Sequence, residues 1–68
     1  MNVFHNNLYN AIKKMEITKP MYNADIVREA KCSRGNIYTV LDVLNRLVEE
    51  GILVEVVDKY EFTKYARA

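Results

Sequence analysis

The sequence predicts a small α+β domain, mostly α, in which three helices precede a β-hairpin of two or three strands. Two stretches carry this prediction. Within residues 33–51, SRGNIYTVLDVLNRLVEEG, apolar residues recur at the i, i+3, i+4 and i+7 spacing of an amphipathic helix. Residues 52–63, ILVEVVDKYEFT, follow directly and are rich in the valine and aromatic residues that favour strands.

The first helix is predicted from the N-terminus to about Met15, with Asn2 or a neighbour as its cap. One face of this helix is apolar and is formed by Phe4, Leu8, Ala11, Ile12 and Met15. His5 lies off that face. A pH-sensing or ligand role is one interpretation of His5, but we favour an inert surface histidine, because most single surface histidines near a terminus are inert.

Pro20 separates the first helix from the second, since a proline restricts the residue before it to extended backbone. Met21 and Tyr22 can then add a short strand to the hairpin. The second helix is predicted over residues 24–31, with Asn23 as its cap. Its inward-facing residues are Ile26, Val27 and Ala30.

The third helix is predicted to start at Ser33, whose hydroxyl can accept a backbone N–H, and to stop at Gly51 in the left-handed conformation. Its buried stripe comprises Ile37, Val40, Leu41, Leu44, Leu47 and Val48. Its opposite face comprises Gly35, Tyr38, Thr39, Asp42, Arg46 and Glu49. On that face Asp42 and Arg46 have the i, i+4 spacing of a helical ion pair.

The hairpin is predicted to turn tightly at Asp58 and Lys59, and the candidates for its second strand or the exit from it are Tyr60, Phe62 and Tyr65. Thr63 could then start a final helical turn. Together these patterns predict a core formed by Phe4, Leu8, Ile12, Ile26, Ile37, Leu41, Leu44, Leu47 and Leu53.

The charge is unevenly distributed along the chain. Its 68 residues predict one domain, 1–68, and carry a net charge of +1. Residues 1–41 hold six basic and three acidic residues, whereas residues 42–68 hold four basic and six acidic ones. The basic half includes the start of the third helix, so a local basic face can steer DNA towards it. The alternative is that mixed charge only keeps a small domain soluble.

Several function classes have little support in the sequence. The one histidine and one cysteine, His5 and Cys32, offer no metal-ligand cluster, and no glycine-rich phosphate loop is present. We therefore expect neither an enzyme nor a bound cofactor, and we interpret Cys32 as a small buried turn residue. No apolar run approaches the roughly 20 residues of a membrane span. The expected location is the cytoplasm, or the host cytoplasm if the source is a virus.

These patterns resemble the winged helix-turn-helix family of DNA-binding domains. The resemblance rests on the apolar residues of the second helix, the turn at residues 31–33, the run from Ile37 through Leu44 and Leu47 to Gly51, and the closing YEFT. It covers about residues 21–65. One feature departs from the family, because Ile37 lies one helical turn further from the glycine than the family's first buried residue does.

The resemblance implies sequence-specific binding of double-stranded DNA by a small transcriptional regulator, whose third helix enters the major groove near Ser33. Arg34 would contact a phosphate or a guanine, Asn36 would pair with adenine, and Gly35 would let the backbone approach the DNA. The complete candidate set is Arg28, Lys31, Ser33, Arg34, Gly35, Asn36, Tyr38, Thr39, Arg46 and Lys59.

Two questions about partners stay open at this point. A homodimer is expected, because operators are usually read as two half-sites. It would form through the first helix with Tyr9, or through exposed apolar groups such as Val43, since the additional C-terminal helix of many family members is not seen here. The alternative function is a protein-interaction module without DNA binding, which the acidic hairpin residues Glu55, Asp58 and Glu61 favour.

Overall fold

Three helices and one small sheet make up the part of the chain that the computed structural model describes, residues 3–31 and 37–68. The helices are α1 (Val3–Lys14), α2 (Asn23–Ala30) and α3 (Ile37–Glu49). They are followed by the antiparallel strands β1 (Leu53–Val57) and β2 (Thr63–Arg67). The predicted small α+β class is therefore confirmed. No helix in these two ranges has the length and apolar character needed to cross a lipid bilayer.

The ends of α2 differ by one residue from the prediction. Tyr22, in extended conformation, precedes the first turn, and its carbonyl accepts the backbone N–H groups of Asp25 and Ile26 at 3.1 Å each. Asn23 is thus the first helical residue and not the cap. At the other end Lys31 adopts the left-handed conformation, with φ 56°, and its N–H donates to the Arg28 carbonyl at 3.3 Å.

The core lies between the three helices and one face of the sheet. Six residues of the predicted core are buried, namely Leu8, Ile12, Ile26, Leu44, Leu47 and Leu53. Five further residues complete it, namely Ile17, Val27, Val40, Val43 and Tyr65. Because α1 packs mainly on α3, and β1 packs on α3 as well, α3 is the central element of the fold.

The buried face of α3 is rotated relative to the predicted one. Val43 is fully buried, whereas Ile37 is 50% exposed and Leu41 is only partly buried. At 100° per residue, the apolar residues of α3 span about 160° around the helix axis. The other described elements pack against a narrower arc of that face, and the centre of this arc lies between Val40 and Leu47. The predictions that Ile37 and Leu41 are core residues are therefore wrong, and so is the suggestion that Val43 offers an exposed surface for dimerisation.

Phe4 is the third core prediction that is wrong, since its side chain is 52% exposed. It belongs to the apolar face of α1 by spacing, but the buried residues of α1 are Leu8 and Ile12 alone. The first turn of α1 therefore lies beyond the elements that cover the later turns of this helix. Val3, in the same first turn, is exposed as well.

The end of α3 is the glycine stop that the sequence predicts. Gly51 has φ 76°, in the left-handed region that glycine adopts without steric cost. Its N–H donates to the Val48 carbonyl at 3.0 Å, and the N–H of Ile52 donates to the Leu47 carbonyl at 2.9 Å. These two bonds satisfy carbonyls that the helix end would otherwise leave unpaired, and they direct the chain into β1.

The hairpin loop is longer than the predicted two-residue turn. Strands β1 and β2 pair from Leu53 opposite Arg67 to Val57 opposite Thr63. Asp58 and Phe62 then close a three-residue loop in which Glu61 is left-handed, with φ 67°. This is the common combination of a type I turn and a left-handed residue. Thr63 consequently begins a strand and not a helical turn.

The Asp58 side chain explains this loop. Its Oδ1 accepts the backbone N–H groups of Tyr60 at 2.8 Å and of Phe62 at 3.0 Å, and its Oδ2 accepts the Tyr22 hydroxyl. A carboxylate that accepts backbone N–H groups two and four residues ahead stabilises a turn of this kind. These bonds also fix the segment before α2 against the hairpin.

Met21 adds a third, minimal element to the sheet. It forms one antiparallel bridge with Tyr65, with backbone bonds of 2.9 Å and 2.8 Å in the two directions. The predicted extra strand near Met21 is therefore present as a single bridge. It lies on the edge of β2 that faces away from β1.

The Asp58 carboxylate predicts a loss of stability in acid. The hydrogen bond from Tyr22, followed by those from the Phe62 and Tyr60 backbone, lowers the pKa of Asp58 below its ordinary value of 3.8. A carboxylate whose pKa is lowered in the folded state stabilises the fold above its ordinary pKa. That stabilisation is lost as the pH falls through the lower folded value. We expect the Tm of the wild type to fall between pH 5 and pH 3.

The control for this prediction is Asp58→Asn, which keeps an oxygen acceptor for the backbone but cannot titrate. Thermal unfolding followed by circular dichroism at pH 7, 5, 4 and 3 should show a smaller acid-induced decrease in Tm for the variant. Parallel Tm curves for the two proteins would contradict the role of the Asp58 charge.

Candidate nucleic-acid interface

The C-terminal end of α2 presents two of the predicted phosphate-binding cations. Lys31 is exposed where the helix ends. Arg28 is also exposed, and its Nη2 lies 3.3 Å from Oδ1 of Asp25, one turn earlier. Solvent-exposed pairs of this type contribute about 0–1 kcal/mol, so Arg28 can exchange its carboxylate partner for a phosphate at small cost.

Four of the predicted contacts, Ser33, Arg34, Gly35 and Asn36, lie outside the described residues, as do Cys32 and Asn2.

The exposed face of α3 is narrow and carries negative charge. Tyr38, Asp42, Asn45 and Glu49 are exposed and fall within about 60° of one another at 100° per residue. Tyr38, in the first turn, is 75% exposed. Thr39 was predicted for this face, but it is partly buried at the edge. Because Asp42 and Glu49 repel phosphate, the first turn is the part of this face best suited to approach DNA.

Arg46 lies at the junction of α1 and α3, away from the first turn. Its guanidinium carbon is 4.1 Å from the centroid of the Tyr9 ring, and its Nε is 3.3 Å from Oε2 of Glu50. The Tyr9 hydroxyl donates to Oε1 of the same carboxylate. The hydrogen bond from Tyr9, helped by Arg46, holds the pKa of Glu50 below its ordinary value, and it raises the pKa of Tyr9.

This cluster of Tyr9, Arg46 and Glu50 joins two helices through residues 41 positions apart in sequence. The charge of Arg46 is therefore engaged within the chain, and a phosphate would have to compete with Glu50 for it. Arg46 and Glu50 have the i, i+4 spacing of a helical ion pair, so this part of the cluster has a local signal in the sequence. The contacts with Tyr9 have none, because they depend on how α1 crosses α3.

The hairpin carries cations stacked on aromatic rings. The Nζ of Lys59 lies 5.1 Å from the centroid of the Tyr60 ring, and the Nζ of Lys64 lies 4.6 Å from that of Tyr22. Tyr22 also meets the ring of Phe62 edge-on, with centroids 6.4 Å apart. Lys59 is exposed in a loop that also contains Asp58 and Glu61, so the charge at this end of the hairpin is not basic overall.

The structure thus separates the predicted site residues into three groups. The first comprises Arg28 and Lys31 at the C-terminal end of α2, with Tyr38 and Thr39 in the first turn of α3, the element that follows it in the chain. The other two are Arg46, beside α1, and Lys59, in the hairpin loop. Comparison of the chain with family models, with curated proteins and with solved structures finds no match.

Proposed function

We propose that this protein binds double-stranded DNA in a sequence-specific manner, as a small transcriptional regulator with a winged helix-turn-helix fold. One observation carries the proposal: α3 is packed on one side only, and Ile37 and Tyr38 at its start are both exposed. A helix about 10–12 Å in diameter fits the major groove of B-DNA, which is about 12 Å wide.

The charge on α3 determines how it enters the groove. Asp42 and Glu49 lie on the exposed face, so a helix lying lengthwise in the groove would bring two carboxylates close to the phosphates. Entry by the N-terminal end avoids this repulsion. It places Tyr38, Arg34 and Asn36 near base edges, and Lys31 and Arg28 near the backbone. The hairpin contributes little in this arrangement, because the charge of Lys59 is offset by the acidic residues beside it.

The test is a selection of bound sequences from a random DNA pool, followed by titrations of variants against the selected duplex at two salt concentrations. We expect Arg34→Ala to weaken binding by about 1–3 kcal/mol, the range for a good charged contact to a base. Lys31→Ala should weaken binding to all sequences alike and reduce the salt slope by about one.

Lys59→Ala is the matched control, since it removes the same charge from the hairpin loop and should change affinity little. If Lys59→Ala were the most damaging variant and Arg34→Ala were neutral, the hairpin and not α3 would be the main DNA contact. The ratio of protein to duplex at saturation also tests assembly, because we propose that a homodimer binds two half-sites.

A second candidate function is a protein-interaction module that does not bind DNA. It is favoured by the acidic face of α3 and by exposed apolar side chains on the hairpin, namely Val57, Tyr60 and Phe62. Salt dependence separates the two functions, since affinity for DNA falls steeply as salt rises. A wild-type protein that is not retained on duplex DNA at low salt would leave this second function as the one supported.

A further inference from the structure

A basic groove lies at the end of α1, outside the three groups of predicted site residues. It is an open depression of about 720 Å³ between the end of α1, the segment that follows it and the end of β2. Its charged lining residues are Lys13, Lys14, Glu16, Lys19 and Arg67. We call it the α1 groove.

Arg67 holds the walls of the α1 groove together. Its Nη1 donates to the backbone carbonyl of Lys13 at 3.0 Å and to that of Met15 at 3.5 Å. These carbonyls belong to the end of α1, where a helix leaves its last carbonyls without partners. The side chain thus connects the end of β2 to the end of α1. Ile17, buried in the core, anchors the segment between the walls.

The described lining of the α1 groove is basic. Four cations line it against the single carboxylate of Glu16, and all five side chains are exposed. Arg67 is occupied with the backbone carbonyls, and the Nζ of Lys13 lies 5.6 Å from the centroid of the Tyr9 ring, whereas Lys14 and Lys19 are exposed. Like charges gathered in this way repel one another, and a bound polyanion relieves that repulsion.

The shape of the groove favours a chain of phosphates over a small compact anion. It is open to solvent, whereas sites for small ligands enclose most of the ligand surface. A nucleic-acid backbone carries charges at regular close spacing, and such charges can meet several separated lysines at once.

We propose that the α1 groove binds the phosphate backbone of double-stranded DNA without regard to sequence. The inference deepens the proposed function and rests on it for the identity of the polyanion. The contact between Tyr9 and Glu50 places α1 beside the C-terminal end of α3. That end is about 20 Å from the first turn of α3, at 1.5 Å per residue over its 13 residues. In the proposed complex the groove therefore contacts a different set of phosphates from the set that Lys31 contacts.

The experiment compares Lys14→Gln, Lys19→Gln and the triple variant with Lys13→Gln added, by fluorescence anisotropy. The probes are a 20-base-pair duplex of unrelated sequence and the selected duplex, each at several salt concentrations. Each single variant should reduce the salt slope by about one, and the triple variant should reduce it by about two to three. Affinity of the triple variant for the unrelated duplex should fall at least about tenfold, and the preference for the selected duplex should remain.

Two further variants serve as controls. Lys64→Gln removes one charge from the hairpin, where Lys64 covers the Tyr22 ring, and should leave the salt slope unchanged. Glu16→Gln removes the only carboxylate of the groove and should tighten binding to the unrelated duplex. Circular dichroism confirms that each variant is folded, which is expected because the altered side chains are exposed.

The outcomes separate this inference from the proposed function. If the wild type binds DNA and the triple variant keeps the wild-type salt slope, the proposed role of the α1 groove is overturned and the proposed function stands. If Lys64→Gln reduces the salt slope as much as each groove variant does, the reduction reflects the overall charge of the protein, and the proposed role of the groove is overturned. If the wild type binds every duplex equally and the triple variant loses that binding, the groove stands and sequence-specific binding is overturned. A wild type without affinity for any duplex overturns both.

Discussion

Replacing Leu44 by alanine is expected to lower the free energy of unfolding by about 2–5 kcal/mol, the range for removing a buried leucine side chain. Leu44 is fully buried in the middle of α3, where that helix meets the rest of the core. Domains of ordinary size have a total stability of about 5–15 kcal/mol, so this single change removes a large share. Urea denaturation followed by circular dichroism measures the loss.

Leu41→Ala is the matched control, because it makes the same change one turn earlier on the same helix at a partly buried position. It should cost clearly less than Leu44→Ala. If Leu44→Ala is too unstable to purify, Leu44→Val gives a smaller loss in the same direction. A cost below about 0.5 kcal/mol at Leu44 would mean that the buried face of α3 has been assigned to the wrong side.

Tyr65→Ala should be comparably damaging, with an expected cost of about 3–5 kcal/mol by analogy with other buried aromatic residues. Tyr65 is the buried side chain of β2, and it connects the sheet to the helical core. Its backbone also forms the two hydrogen bonds to Met21. Loss of the side chain should therefore loosen β2 and the segment before α2 together, which native-state hydrogen exchange can detect.

The comparison variant is Tyr60→Ala in the hairpin loop, where the ring is mostly exposed and only a small loss is expected. Tyr65→Phe tests the hydroxyl separately. Burial raises the pKa of Tyr65 above its ordinary value of 10.0, so the neutral ring is the form that the fold favours. Equal unfolding free energies for Tyr65→Ala and Tyr60→Ala would show that the sheet does not depend on Tyr65.

The candidate site was partly predictable. The end of α2 at Lys31 and the exposure of Tyr38 follow from helix periodicity and from the turn between two amphipathic segments. The engagement of Arg46 by Tyr9 did not follow, because it depends on the crossing of α1 and α3, whereas the pair of Arg46 with Glu50 has a local i, i+4 spacing. The α1 groove was not predictable either, since Arg67 and Lys13 lie 54 positions apart in the chain.

The sequence by itself determined the order of the elements and most of the core. Apolar spacing located all three helices, Gly51 located the end of α3, and valines marked β1. These signals are local, because each depends on the residues within about one or two helical turns.

Only the tertiary structure decided which part of each apolar face is covered. Val43 is buried and Ile37 is exposed although both are apolar residues of α3, because α1, α2 and β1 together cover a narrower arc than the apolar stripe offers. The hairpin loop was decided in the same way, since Asp58 binds both its own loop and Tyr22, 36 positions earlier. The physical reason is that packing and long-range hydrogen bonds depend on how elements meet, which the periodicity of any single element does not contain.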